Sequence, residues 1–592
     1  MIEQLITDHL DLWSSAVRPK SSAGRGSNSK LELTGIKKLR ELILELAVRG
    51  MLVPQDPNDE PASVLLERIA AEKARRVKEG KIKKSKPLPE ITDEEKPFEL
   101  PEGWEWTSLG NVVAIVRGIT FPASEKYIEP SEGKIACLRT ANVQDLIDWD
   151  DLLYVDKSFV KRQEQCAEIG DIVMSMANSR ELVGKVAYIS SIPTGDATFG
   201  GFLSVIRPYE IDATFLMAIL RAPQTRSILI DSSSQTTNIA NISLEKLNPL
   251  AVAIPPLAEQ HRIVAKVDKL MSLCDQLEQQ SEASLAAHQT LVETLLATLT
   301  ESADVAELAQ NWARLAQHFD SLFTTQSSID ALKQTILQLA VMGKLVPQDP
   351  SDEPASVLLE RIAAEKARLV KEGKIKKEKP LPPISEEEKL FRIPDSWCFC
   401  RLGDICDGIT SGSTPPKEKF SHDEGVPFLK VYNIRDQKID FDYEPQFVEK
   451  DYNDSKLKRS MLYPGDVVMN IVGPPLGKVA IIPSNFPVWN CNQAIVFFRP
   501  IDMGLNKHIY TYLKAGLFLA SIELIGTAGQ DNISVTKSRL IVLPMPPLKE
   551  QLRIADRIEQ LLSLCDQLSA RLQASQTTQL NLAEALVEGA LN

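Results

Sequence analysis

The sequence predicts an α+β protein. Two mixed α/β domains are separated by long antiparallel coiled-coil-like helices, in a pseudo-two-fold arrangement of circularly permuted repeats. Three observations predict this. The 33-residue segment Leu52–Lys84 recurs at Leu345–Lys377 with only Asn58/Ser351 and Arg76/Leu369 different. Apolar residues near these copies repeat at steps of three and four, the seam of a helix packed on another helix. Between the helical blocks lie two long stretches, 104–254 and 397–545, built of short β-rich runs and turns.

Residues 1–18 read as an appended amphipathic helix, and KSSAGRGSNSK (20–30) as a flexible linker. The first helical block then carries Ile36, Leu39, Ile43 and Leu46, matched later by Ile329, Leu332, Ile336 and Leu339. A second helical repeat starts at a Pro-Pro pair, which blocks helix before it and allows helix after it. Ile263, Val267, Leu270, Cys274 and Leu277 follow Pro255; Ile554, Ile558, Leu561, Cys565 and Leu568 follow Pro546. No Pro or Gly interrupts Ala258 to Leu299, a run that spans roughly 60 Å as a helix.

The middle of the chain holds both helical elements in order. The C-terminus holds only the Pro-Pro helix, and the N-terminus holds only the other. Packing the two terminal helices together rebuilds what the middle already has. The resulting division is 1–30 (helix and linker), 31–103 (helical region and linker), 104–254 (first β-rich domain), 255–396 (central helical region and linker), 397–545 (second β-rich domain) and 546–592 (C-terminal helix).

The two β-rich domains share landmarks and differ between them. Each opens on W-x-x-x-x-L-G (Trp104 to Gly110, Trp397 to Gly403). Each has a central G-D-[IV]-V at Gly170 or Gly465, and each closes on N-I-S and P-P-L-x-E-Q. Ser243 and Ser534 are expected helix N-caps. A strictly duplicated frame with loosely duplicated inserts is suited to present two different reading heads.

In this order, and occurring twice, the motifs resemble the specificity subunit of Type I restriction–modification enzymes, over nearly the whole chain from about residue 31. The resemblance implies a non-catalytic subunit whose two target-recognition domains each read one half of a bipartite, asymmetric double-stranded DNA target. It implies that the helices set the spacer and dock two modification (methyltransferase) subunits. Restriction subunits would add ATP-driven translocation and cleavage. No cofactor is expected on this chain; S-adenosylmethionine, ATP and Mg2+ are expected on the partner subunits. The alternative is a coiled-coil interaction scaffold with two β-rich protein- or glycan-binding inserts.

The residues fit a reader. GPPLGKVA at Gly473 has the wrong spacing for a nucleotide-binding loop and lacks its Ser/Thr. The Pro-Pro sites IPPL, GPPL and MPPL lack the polar residue of an adenine-methyltransferase motif. Asp171, Glu181 and Lys185 are not spaced as a nuclease cluster, and Asp171 suits a turn before a strand. The six histidines have no metal-ligand spacing, so no metal is expected. Eight cysteines without framework spacing fit a reducing cytoplasm, with Cys274 and Cys565 as core residues. There is no secretory signal pattern and no long apolar run, so no membrane is expected.

The net charge of −13 weighs against a self-sufficient DNA binder. Residues 104–254 hold 13 Lys/Arg against 18 Asp/Glu, and 397–545 hold 16 against 16. Phosphate contacts must then come from local clusters such as Lys161–Arg162, Lys456/Lys458/Arg459 and Lys537/Arg539, or from partners. Base readout favours Arg and Lys for guanine, Asn and Gln for adenine. Candidate DNA-binding residues in the first head are Arg117, Arg139, Asn142, Asn178, Arg180, Lys185, Gln235, Thr236, Thr237 and Asn238. In the second they are Ser413, Thr414, Lys417, Lys430, Tyr432, Asn433, Arg435, Lys478 and Gln530. Lys185 and Lys478 recur at equivalent places after Gly, as suits a phosphate contact. The doubled segment, which stands before each head, is expected to meet two copies of one partner or generic DNA backbone, rather than to read bases.

Overall fold

The structure is a computed structural model that describes residues 2–19, 31–79, 87–235, 239–421, 423–522, 525–527 and 530–591. The chain divides into two compact units. The first contains residues 28–283 with the two chain ends; the second contains 284–575. The helices Leu257–Glu301 and Leu548–Leu591 pass through the boundaries, at 283/284 and 575/576.

In the first unit the helix Thr34–Val48 carries the expected seam: Ile36, Leu39, Ile43 and Leu46 are all buried. Arg40 fixes it to the long helix through Asp275 at 2.6 Å and Glu278 at 2.5 Å. On another side Lys38 reaches Glu584, and Arg49 donates to the carbonyl of Leu591. The N-terminal residues form two short helices, Ile2–Thr7 and Leu10–Ser15, where the sequence predicts one. The break at Asp8–His9 lets the second piece turn its fully buried Trp13 inward. The Gly35 amide donates to the carbonyl of Ala16. A Cβ at Gly35 would lie 2.3 Å from the Trp13 carbonyl oxygen, so only glycine permits this approach. Residues 20–30, the expected linker, lie outside the described residues.

In the second unit the helix Gln326–Val341 buries Ile329, Leu332, Ile336 and Leu339. They share one core with Val292, Leu296, Leu299 and Cys565. Thr325 caps this helix, accepting the Ser328 amide. Burial pushes the Cys274 thiol up to about 11, as befits a packed rather than a reactive cysteine. All eight cysteines are free.

Each unit carries one β-rich head. Its first strand pairs antiparallel with its last: Glu105–Ser108 with Ala251–Ile254, and Cys398–Arg401 with Val542–Met545. The opening and closing motifs therefore close each head at one place. Within the first head the main antiparallel sheet has the order Val113–Arg117, Leu203–Pro208, Ile172–Ser175, Val186–Tyr188. The second head repeats that order with Cys406–Ser411, Ile495–Pro500, Val467–Asn470 and Val479–Ile481. The β-branched and aromatic character of these short runs suits strands buried on both faces; Ile172, Val173 and Met174 are each fully buried. Each head has a second sheet, of three strands in the first and four in the second. In the first head Ala197–Phe199 runs parallel to Lys134–Leu138; in the second, Val426–Leu429 runs parallel to Asn490–Cys491.

The G-D-[IV]-V aspartate has one role in both heads. Asp171 receives Arg207 in a two-pronged pair at 2.7 and 2.8 Å and accepts the Glu168 amide. Asp466 receives Arg499 at 2.9 and 2.6 Å and accepts the Tyr463 amide. These buried pairs pin the turn to the strand, as Asp171 before a strand implies. Ser534 caps its helix by accepting the Lys537 amide; Ser243 occupies the same position without a side-chain bond.

Candidate nucleic-acid interface

The frame around each head explains the repeated motifs residue by residue. In the first unit Trp104, at the head of the opening motif, donates its indole N–H to Glu259 of P-P-L-x-E-Q at 3.1 Å. Gln55, from the doubled segment, donates to the same carboxylate at 3.2 Å. The second unit repeats the set with Trp397 and Gln348 on Glu550, at 3.0 and 2.6 Å. Burial raises the pKa of both carboxyls, and the donors oppose that rise. Beside them Arg262 pairs with Asp59, and Arg553 with Asp352, each at 2.6 Å.

The doubled segment continues as the helices Ala62–Lys78 and Ala355–Lys371. Ala62, Leu65 and Ile69 are buried, as are Ala355, Leu358 and Ile362. Lys73 donates to the carbonyl of Gly110 at 2.7 Å, and Lys366 to that of Gly403 at 2.5 Å. Half of this segment thus holds the neighbouring head in place. The other face, including Val64, Glu67, Val357 and Glu360, is exposed.

The loops carrying the candidate readers come together within each head. In the first, Ala177–Asn178 pairs with Ala240–Asn241, which pairs with Ser234–Gln235. This joins the 178–185 loop to the hairpin of the N-I-S motif. Lys185 then donates to Gln144 at 2.7 Å, drawing in the 139–151 loop. Arg180 is exposed and pairs with Asp231 at 3.4 Å; Arg139 pairs with Asp151 at 2.6 Å. The exposed Arg180 pair contributes about 0–1 kcal/mol, so that guanidinium is readily released; Arg139 is half-buried and also donates to the Asp151 carbonyl at 3.2 Å. Arg117 is exposed at the end of Val113–Arg117. Thr236, Thr237 and Asn238 lie outside the described residues, and of Gln235 only the strand position is described.

Asn142 is placed differently from the rest. It is buried, its side-chain oxygen accepts the Arg139 amide, and its amide donates to the carbonyls of Asp148 and Asp151. Asn433 does the same for its loop, accepting the Lys430 amide and donating to Tyr443 and Asp440. Both hold the shape of a loop from which Arg139 or Lys430 projects.

In the second head Ile471 to Lys478 lies beside the hairpin Ile525–Thr527 and Gln530–Asn532, through a Val472–Asn532 bridge. Of Gln530 only the strand position is described. Lys430 lies over the rings of Phe420 and Tyr432, 5.3 and 5.8 Å from their centroids. Arg435 lies 4.3 Å from the centroid of Tyr443 and 3.4 Å from Asp440. Ser413 and Thr414 follow the first strand of the main sheet, and the Thr414 hydroxyl bonds Gln493. Lys417 is exposed on the next turn, and Lys478 half-buried after Gly477. Sequence reasoning left out Gln144 and Gln437, which sit two and four residues past the loop asparagines. Gln437 accepts the Val479 amide at 2.6 Å. Both glutamines lie on loops whose other residues, Arg139, Asn142, Lys430, Tyr432, Asn433 and Arg435, the sequence had already singled out.

No cluster of His, Cys, Asp and Glu able to hold a metal occurs among the described residues, and no described helix is long and apolar enough to cross a membrane.

The family described as "Type I restriction modification DNA specificity domain" matches residues 101–287 and 394–575. The specificity subunit of the Type I restriction enzyme EcoAI of Escherichia coli is 44% identical over the full length of both chains. That of EcoEI, also from Escherichia coli, is 43% identical over the full length of both. The crystal structure of the HsdS subunit from Thermoanaerobacter tengcongensis aligns at 18% identity over 84% of this chain and 98% of that one, with a TM-score of 0.35. With two matched regions, one per head, and full-length relatives above two-fifths identity, this chain belongs to the Type I restriction–modification specificity family.

Proposed function

We propose that this chain is the DNA-reading subunit of a Type I restriction–modification complex, each head recognising one half of a bipartite, asymmetric target. One observation carries the reading: the two heads share strand order, buried Asp–Arg pair and Trp–Glu–Gln attachment, yet present different side chains from their loops. A common mount with divergent tips is what reading two different half-sites requires. The readers are Arg117, Arg139, Asn178, Arg180 and Lys185 with the 234–241 hairpin in the first head. In the second they are Ser413, Thr414, Lys417, Lys430, Tyr432, Arg435 and Lys478 with the 525–532 hairpin.

The finer parts of the proposal follow the frame. The two helices of 45 and 44 residues fix the distance between half-sites. The frame is a permuted duplication: Arg49 against Leu591 in one unit parallels Lys344 against Thr300 in the other. Two modification subunits dock on the helical regions and the exposed faces of the doubled segment, and supply S-adenosylmethionine chemistry. Restriction subunits supply the ATP- and Mg2+-dependent steps. The chain itself carries no catalytic group in this scheme, and the acidic balance means that tight DNA binding needs the partners.

Methylation mapping in cells that express this chain with its modification and restriction partners tests the proposal. A single bipartite motif with a constant gap is expected. Methylation at a continuous motif, or none that depends on this chain, would overturn it.

A further inference from the structure

Phe202 is the most exposed aromatic among the described residues of the first head, at 69%, as Ile128 and Leu146 are among its aliphatic residues. It belongs to the turn Gly200–Gly201–Phe202, whose backbone is tied on every side. Gly200 donates to the carbonyl of Leu138 at 2.8 Å, Leu203 donates to Gly200 at 2.8 Å, and the Phe202 carbonyl accepts the Met176 amide at 2.9 Å. The turn packs so closely on the neighbouring strand that a Cβ at Gly118 would lie 2.2 Å from the Gly200 oxygen. These partners immediately adjoin candidate readers: Gly118 follows Arg117, Leu138 precedes Arg139, and Met176 precedes the strand Ala177–Asn178.

The second head builds the same turn. Ala494 takes the place of Phe202, its carbonyl accepting the Ile471 amide at 2.8 Å, and the preceding Gln493 bonds Thr414. The fold therefore accepts a methyl here, and a large aromatic adds nothing to the turn itself. Burying a phenyl ring would stabilise the head, but this one is held in water by a backbone that the turn's hydrogen bonds fix in place. On the edges of DNA bases, hydrogen-bonding groups serve Arg, Lys, Asn and Gln, and the apolar group on offer is the 5-methyl of thymine.

We infer that Phe202 packs against a thymine methyl in the half-site read by the first head, and so sets the preference for that base. This rests on the proposed DNA-reading function. The second head carries Ala494 and Gln493 there, so it offers no aromatic ring at this position.

The test uses the complete complex and duplexes carrying the mapped target, with each thymine in turn replaced by deoxyuridine, which lacks only the methyl. With the unaltered chain, methylation should slow about three- to tenfold at one thymine of one half-site, the loss of one buried methyl contact. Phe202→Ala should slow the thymine duplex by a similar factor and become indifferent to deoxyuridine there. Phe202→Leu should recover part of the preference. The other half-site should respond to neither variant. Equal deoxyuridine sensitivity in the unaltered chain and Phe202→Ala, or no sensitive thymine, would overturn the inference while leaving the bipartite reading intact. If the unaltered complex methylates no bipartite target, the functional proposal itself has failed.

Discussion

The carboxylate of Glu259 accepts the indole N–H of Trp104 across 3.1 Å, joining the start of the long helix to the first residue of the head's opening motif. Gln55 occupies the other oxygen. Glu259→Ala leaves a buried indole without an acceptor, at about 1–3 kcal/mol, and takes from the Gln55 amide one of its two acceptors, the other being the Gly50 carbonyl at 2.7 Å. Glu259→Gln keeps an acceptor for Trp104 but turns its own N–H2 toward the Gln55 amide, which cannot flip without losing Gly50. Chemical denaturation should show a loss for both variants, the larger for Glu259→Ala by about 1 kcal/mol or more. Equal losses would mean that the negative charge, rather than the hydrogen bonds, holds the joint.

A histidine makes the second unit sensitive to acid. His508 is buried, with Nε2 2.7 Å from the Pro544 carbonyl, and burial lowers its pKa from 6.5 to about 4. The unfolded chain takes up a proton as pH falls below 6.5, while the folded imidazole stays neutral until about 4. Stability is therefore full above 6.5 and declines as pH falls toward 4, by about 1.4 kcal/mol per unit. Phe215 stands against Trp104 in the first unit as His508 stands against Trp397 in the second, with ring centroids 6.3 and 6.4 Å apart. His508→Phe should flatten the fall in melting temperature between pH 6.5 and 5. An unchanged slope would place the acid sensitivity elsewhere.

The pair of Arg499 and Asp466 should behave as a buried ion pair does. Arg499→Ala strands a carboxylate that is almost fully buried, at about 3–5 kcal/mol. Urea melts should show that loss, confined to the second unit. A loss within the range of an exposed pair would mean that water reaches Asp466.

Arg180 should affect one half-site. Arg180→Ala removes an exposed guanidinium whose partner is Asp231, so folding should change by under about 0.5 kcal/mol. Methylation of duplexes altered in one half-site at a time should show relaxed or weakened recognition, by about 1–3 kcal/mol, in the first head's half only. Changes in both halves would show that the heads do not read independently.

The outer face of the doubled segment gives the last test. Deleting 61–80 would remove Lys73 from the Gly110 carbonyl and disturb the head, so point substitutions are the better probe. Val64→Lys with Val357→Lys alters exposed positions of both copies. Assembly with modification subunits, followed by size-exclusion chromatography, should weaken while the mapped target stays the same. Normal assembly would confine the segment's role to holding its head.

Much of this arrangement was legible in the residues. The seams Ile36–Leu46 and Ile329–Leu339 announce themselves because helix burial has a strict period. The two heads could be matched to each other because their landmarks recur in order. The bonds that make the landmarks matter were not legible. Gln55, Trp104 and Glu259 are far apart in sequence, and only folding shows that they share one carboxylate. Asn142 and Asn433 carry the same amide whether it faces outward or a loop carbonyl, so sequence grouped them with the exposed candidates. The inward face of the doubled segment was hidden for a related reason: near-identity of two copies does not tell which side of a helix is occupied.

The joint at Glu259 and Glu550 has a consequence for how such a protein acquires new targets. Both heads share the same fittings: the adjoining first and last strands, the three-residue clasp, and the lysine of the doubled segment on the Gly110 or Gly403 carbonyl. Each head is in effect a cartridge on a common mount. Its loops can be rewritten without those fittings having to change.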